Sequence, residues 1–357
     1  MIHRSSILIL AAAVAALVVL PQGASAQAQA KKGTVEKITV HGDALVGNLA
    51  GEPADRTVFV YLPPSYATER NRRYPVAYLL HGYGLTGERW MTFAKMSDAA
   101  DRVMAAGSVK EMILVNPDSW TKNGGSMYSS SPTSGDWEAF MADDLVKYID
   151  SHYRTIATRE SRGLVGHSMG GYGATRIGMK HADVFGSLYI MSPCCLSPRA
   201  AGGGRGTPSP AAAANDEALA AVKTPADSAK LPFALRAQLA SAAAWSPNPK
   251  NPPLYLDLPI GDQAQAVLAR WAANAPLAFI DQYIAGLKRY RAIAIDVGDQ
   301  DGLRVDAGRL HDALDRYDIA NTFEIYPGTH TSDVAVRFQE HVIPFFSRTL
   351  SFEAARR

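Results

Sequence analysis

Short apolar runs recur at residues 57–62, 74–80, 111–116, 163–166, 187–192, 292–297 and 322–326, and helical patterns lie between them. That alternation predicts an α/β chain built on a parallel sheet with crossover helices. Val76-Ala77-Tyr78-Leu79-Leu80 and Met112-Ile113-Leu114-Val115 contain no polar position. Strands of that kind are buried on both faces, so the sheet is expected as a central layer flanked by helices. Helical spacing is clearest at 137–153 (Phe140, Met141, Leu145, Tyr148, Ile149) and at 334–346, with Asp136 and Ser332 placed to cap the two first turns. From 198 to 276 the chain turns to Ala, Pro, Gly and Ser with short helical stretches. This is too long for an ordinary connection and predicts an insertion before the 292–297 strand, acting as a lid, with an irregular proline-punctuated middle at 244–253.

The first 26 residues follow another pattern. Met1-Ile2-His3-Arg4 is a positive start, 7–20 is uninterruptedly apolar, and Ala24-Ser25-Ala26 is a small-x-small cleavage site. They predict a signal peptide spanning 1–26, a mature catalytic domain at 27–357, and a secreted or periplasmic location. The apolar run is shorter than the roughly 20 residues a membrane-spanning helix needs, so no anchor is expected after cleavage. A composition of 47% hydrophobic and 20% charged residues can bury a full core and argues against disorder. The net charge of +2, with both signs well mixed, argues against nucleic acid as a partner. The two cysteines, Cys194 and Cys195, are adjacent, which rules out a disulfide scaffold; they are expected as buried thiols, because a vicinal disulfide is strained.

Gly166-His167-Ser168-Met169-Gly170 matches G-x-S-x-G, follows the run ending in Leu164-Val165 and precedes a helical stretch at 172–180. On its own the pentapeptide could be a glycine-rich turn with an inert serine. In a strand-turn-helix setting it reads as a nucleophile elbow, in which small flanking residues permit a sharp turn that lifts the serine hydroxyl off the sheet. Such a serine needs a base, and in this fold the chain order is Ser, Asp or Glu, then His. His311 and His341 fall in helical stretches and read as surface or packing residues. His330 follows the 322–326 strand on a loop at the carboxyl end of the sheet, where ligands meet α/β proteins, and is the expected base. For the orienting acid, Asp296 lies inside a strand and Asp299 at the first turn; Asp301, placed to reach back toward His330, is preferred over Asp299.

Charge developing on the substrate carbonyl oxygen calls for backbone donors, expected from Met169 and from Tyr83 in Leu79-Leu80-His81-Gly82-Tyr83-Gly84, with Gly84 as the fallback. His81 has no accompanying metal-ligand spacing and reads as a brace for that loop. Trp120 and Tyr128, in the loop 117–135, are candidates for stacking on a sugar or aromatic acid, against a loop folded on its own aromatics; Trp245, in the insertion, is a candidate for closing the acyl pocket, with packing the lid onto the domain the preferred reading. This chemistry requires no cofactor.

At these motifs the sequence resembles the putative-esterase family of α/β-hydrolases, which holds feruloyl and acetylxylan-type esterases, S-formylglutathione hydrolases, enterochelin esterases and mycolyltransferases. The likeness covers residues 55–346. It is strongest at 79–84, from Gly124-Gly125-Ser126-Met127-Tyr128 to Trp137-Glu138, at 166–173, and at 298–301 with 328–330. It implies the α/β-hydrolase fold, a triad of Ser168, Asp301 and His330, and a small-molecule or carbohydrate ester as substrate, feruloyl and acetyl esters being the first to consider. The exported start argues against the cytosolic S-formylglutathione role. Two rivals to ester hydrolysis are an acyltransferase, in which an alcohol replaces water, and an inactive binding protein on the same fold.

Overall fold

The computed structural model describes residues 32–198 and 210–353; the expected signal segment lies outside them. One sheet contains β1 (Thr34–His41), β2 (Asp55–Leu62), β3 (Val76–Leu80), β4 (Ile113–Pro117), β5 (Arg162–His167), β6 (Ser187–Met191), β7 (Ala292–Gly298) and β8 (Thr322–Tyr326). Their order across it is β1-β2-β4-β3-β5-β6-β7-β8. The β1–β2 and β2–β4 pairs are antiparallel and every later pairing is parallel. β1 has no counterpart among the apolar runs of the sequence, because six of its eight side chains are exposed and offer no buried face to read.

All residues of β3, β4 and β6 are buried, as continuous apolar runs require. Alternate side chains feed two separate layers. Val76, Tyr78, Leu80, Leu164 and Ile190 pack with Trp137, Phe140, Tyr172 and Phe185 on one face. Ala77, Leu79, Val165, Tyr189 and Met191 pack with Trp90, Phe338 and Phe346 on the other. Each large apolar side chain buried in this way contributes about 1.5–3 kcal/mol. β8, by contrast, is an edge strand that exposes Thr322, Glu324 and Ile325.

The 137–152 segment is helical throughout, with a π turn at Phe140–Asp144 between two α stretches, and the Asp136 carboxylate accepts the Ala139 N–H at 3.0 Å. The last helical segment also carries a π turn, Phe338–Val342. Its expected cap is corrected: the segment begins at Val334 after Asp333, whose φ is 60°. The Ser332 hydroxyl instead takes the Thr329 N–H at 2.8 Å and so closes the preceding loop.

The described part of the insertion contains helices Pro210–Ala220, Pro225–Ser228, Phe233–Trp245 and Ala264–Ala273. Trp245 fastens it to the rest of the chain. Its indole N–H donates to the Ser129 hydroxyl at 3.1 Å, and its ring lies 5.3 Å from Tyr172 and 5.9 Å from Trp271. Trp271 donates in turn to the Ser246 hydroxyl at 2.8 Å. Among the described residues no helix is long and apolar enough to cross a membrane.

Candidate active site

Ser168 stands between the end of β5 and the helix Met169–Lys180, with φ 59° and ψ −114°. L residues rarely adopt that conformation, and it persists because the surroundings over-determine it. The Ser168 N–H donates to the Met191 carbonyl at 3.1 Å, and the Ser168 carbonyl accepts the N–H groups of Tyr172 at 3.0 Å and Cys194 at 3.1 Å. Close approach makes both flanking glycines obligatory. A Cβ on Gly166 would lie 2.0 Å from the Gly170 carbonyl oxygen, and one on Gly170 would lie 2.0 Å from that of Leu80.

The three residues singled out by chain order meet here. His330 Nε2 is 2.9 Å from Ser168 Oγ, and its Nδ1 is 2.8 Å from Asp301 Oδ2. A carboxylate only accepts, so Nδ1 carries the proton and Nε2 is left to accept from the serine hydroxyl. The Asp301 side chain is 2% exposed. Burial opposes its charge, but the hydrogen bonds from His330 and from the Leu303 N–H (2.9 Å), together with attraction to the His330 imidazole, outweigh that and hold it below the usual carboxylate range. Among the described residues no hydrogen bond or ion pair joins Asp299 to His330. Its carboxylate accepts the Gly328 N–H at 2.9 Å and its own N–H donates to the Tyr326 carbonyl at 2.8 Å, which ties down the loop carrying the base. Asp296 is buried in β7, 2.8 Å from the Tyr189 hydroxyl and 2.9 Å from Arg337; burial pushes it up to about 6. His311 pairs with Asn321 at 2.9 Å and His341 with Arg337 at 3.1 Å.

The loop after β3 lies against the nucleophile: a Cβ on Gly82 would be 3.5 Å from Ser168 Cβ. Among the described residues the N–H groups of Tyr83 and Met169 have no hydrogen-bond acceptor, whereas that of Gly84 is taken by the Gly124 carbonyl at 3.0 Å. That engagement removes Gly84 as the fallback donor. His81 braces the loop: Nδ1–H donates to the Gly82 carbonyl at 2.9 Å and Nε2 accepts the Ser119 N–H at 2.9 Å. Burial pushes this imidazole down, which favours the neutral form that the two bonds need.

Ser168 and His330 open into a cavity of about 580 Å³ with mainly apolar walls. None of the three aromatic candidates lines it. Tyr128 is fully buried, donating its hydroxyl to the His81 carbonyl at 3.1 Å, and Trp245 is engaged beneath the insertion as described. Trp120 faces a separate open depression with Glu88, Arg89 and Phe93. The walls come instead from Leu85, Phe93, Met127 and one face of the insertion helix, where Phe233, Ala237 and Ser241 recur at four-residue intervals. Phe233 sits edge-on to Tyr83 with ring centroids 5.1 Å apart. That i, i+4, i+8 stripe was the signal available in the sequence, masked by the surrounding alanines. Cys194 and Cys195 are half-buried and line the same cavity, which corrects the expectation of two buried thiols.

The family model described as "Putative esterase" matches residues 52–341. This chain belongs to the putative-esterase family. Among curated proteins, an endo-1,4-beta-xylanase/feruloyl esterase of Xylanibacter ruminicola is 30% identical over 140 residues, covering 38% of this chain and 19% of that protein. An esterase of Mycobacterium tuberculosis is 36% identical over 135 residues, 36% of this chain and 27% of that protein. The match therefore spans less than a third of either relative's length. Among solved structures, a ferulic acid esterase has a TM-score of 0.62 at 24% identity, covering 90% of this chain and 99% of the other. An S-formylglutathione hydrolase from Agrobacterium tumefaciens has a TM-score of 0.57 at 18% identity, covering 90% and 97%. They share the α/β-hydrolase fold with this member of the putative-esterase family.

In this esterase-family chain a second histidine stands beside the base. His167 Nε2 lies 2.8 Å from the His330 carbonyl oxygen, so it is the donor, and its ring is stacked on Trp90 (centroids 5.6 Å apart) with the His330 ring tilted against it at 34° (4.8 Å). Burial, reinforced by the nearby His330 imidazole, pushes it down to about 4, against weaker opposing pulls from its hydrogen bond to the His330 carbonyl and from Asp301. Between an unfolded value of 6.5 and that folded value, only the unfolded chain binds the proton. The associated stability is complete above pH 6.5 and is lost as pH falls toward 4, on the order of 3 kcal/mol. Urea unfolding of the wild type and His167→Gln at pH 7 and near pH 4.5 should show the larger acid loss in the wild type; equal losses would contradict it.

Proposed function

We propose that this protein is an exported serine carboxylesterase working through an acyl intermediate on Ser168. The observation that carries the reading is the continuous hydrogen-bonded line from Asp301 through His330 to Ser168 Oγ, at 2.8 and 2.9 Å, on the floor of an apolar cavity. His330 takes the serine proton as Oγ attacks the ester carbonyl, and Asp301 holds the imidazole in the required tautomer and stabilises the imidazolium that forms. The N–H groups of Tyr83 and Met169 receive the oxyanion. His330 then passes the proton to the departing alcohol, and water, deprotonated by the same imidazole, releases the acid. Export rests on the segment 1–26, with cleavage after Ala26 and a mature domain at 27–357 in which the insertion 198–276 serves as the lid.

The apolar walls and the aromatic rings of Phe93 and Phe233 favour an aromatic or medium-length acyl group over acetyl. Relatives named as feruloyl or ferulic acid esterases support a hydroxycinnamoyl group. Purified mature protein assayed on p-nitrophenyl esters of rising chain length, methyl ferulate and acetylated sugars is expected to prefer the aromatic and medium-chain esters by at least about tenfold in kcat/KM. Confinement to acetyl esters would overturn the acyl assignment. Transfer products outweighing hydrolysis when acceptor alcohols are added would make the enzyme an acyltransferase.

A further inference from the structure

We propose that His167 is a positioning residue for the catalytic base: its Nε2–H holds the His330 carbonyl and thereby sets the distance between His330 and Ser168. The inference rests on the esterase reading of Ser168 and goes beyond it, to what keeps the two reacting side chains aligned.

His330 sits on a loop beyond the edge strand β8. From the acid side the backbone of that loop is tied, among the described residues, as far as Gly328, whose N–H is held by Asp299 at 2.9 Å and whose carbonyl accepts the Gln300 N–H at 2.9 Å; Asp301 reaches His330 only at its ring. The base lies two residues further out. Among the described residues, the hydrogen bond that reaches its backbone comes from the opposite direction, from His167 at 2.8 Å. His167 is the last residue of β5 and immediately precedes the nucleophile. β5 is hydrogen-bonded on both sides, to β3 and β6. The donor is therefore anchored in the middle of the sheet, and one residue connects the frame of Ser168 to the backbone of His330.

The ring is itself fixed. It is 3% exposed, stacked on Trp90 with an interplanar angle of 17°, and in tilted contact with the His330 ring at 4.8 Å. The residue type also has a reason. His330 becomes a cation when it accepts the serine proton, so a lysine or arginine donor whose charge lay 4.8 Å away would oppose that step. A buried neutral imidazole gives the hydrogen bond without the charge.

The test compares wild type, His167→Phe, His167→Gln and Ser168→Ala. Phenylalanine keeps a flat ring against Trp90 and His330 but removes the donor; glutamine loses the ring but places an amide N–H the same number of bonds from the backbone. His167→Phe is expected to lose about 10- to 100-fold in kcat, with KM within about twofold and fluorophosphonate labelling slowed in parallel. His167→Gln should recover kcat to within about threefold of wild type. Unimpaired turnover in His167→Phe overturns the proposal. So do equal losses in both variants that track their unfolding midpoints, which would mean that packing alone is at stake. Should the phenylalanine variant fail to fold, 15N spectra of histidine-labelled wild type decide: a neutral His167 protonated at Nε2 is expected, and protonation at Nδ1 alone overturns the proposal, because no bond could then be donated. Turnover persisting in Ser168→Ala would sink the esterase reading, whereas an inert Ser168→Ala beside an unimpaired His167→Phe sinks this inference alone.

Discussion

Replacing Ser168 with alanine is expected to lower kcat on the order of 10⁶-fold and to abolish fluorophosphonate labelling, while far-UV circular dichroism stays unchanged. The hydroxyl is the only part of the residue lost. The backbone turn is held by Met191, Tyr172 and Cys194 through main-chain groups that the substitution leaves in place. Ser168→Gly should be equally inactive yet more stable, on the order of 1 kcal/mol, because glycine adopts φ 59° without the steric penalty. Labelling that survives in Ser168→Ala would place the nucleophile elsewhere.

The second large effect separates two neighbouring aspartates. In Asp301→Asn the amide can donate to Nδ1, which moves the imidazole proton to Nε2, where it faces Ser168 Oγ instead of leaving a lone pair for it. A fall of about 10⁴ in kcat is expected from the wrong tautomer. Asp299→Asn keeps a carbonyl oxygen to accept the Gly328 N–H and should lose less than about tenfold. Parallel kcat/KM measurements check the pair, and a larger loss at position 299 would reverse the assignment of the acid.

Ser168, Asp301 and His330 were legible because each carries a positional signature: glycines crowding a strand-to-helix turn for the first, and a loop following a parallel strand for the other two. The central strands were legible for a related reason, since burial on both faces leaves no polar position in them. β1 offered no such signature, having its side chains mostly in solvent. The substrate walls were illegible for a different physical reason. An aromatic residue type in the sequence does not say whether its ring closes a packing layer or faces a cavity. Tyr128 and Trp245 are buried supports, as already preferred for Trp245, while Phe93 and Phe233, which the sequence did not single out, line the cavity. Ser332 shows how short-range chemistry competes. Its hydroxyl could cap a helix or close a loop, and the Thr329 N–H was near enough to take it.

Among the described residues β8 pairs with β7 alone and leaves most of its side chains in water, yet the imidazole hangs directly beyond it. On gentle warming, peripheral fraying there would disarm the enzyme while its interior is still intact. Inactivation would then run ahead of melting, and cooling would restore turnover without the chain ever having unfolded as a whole.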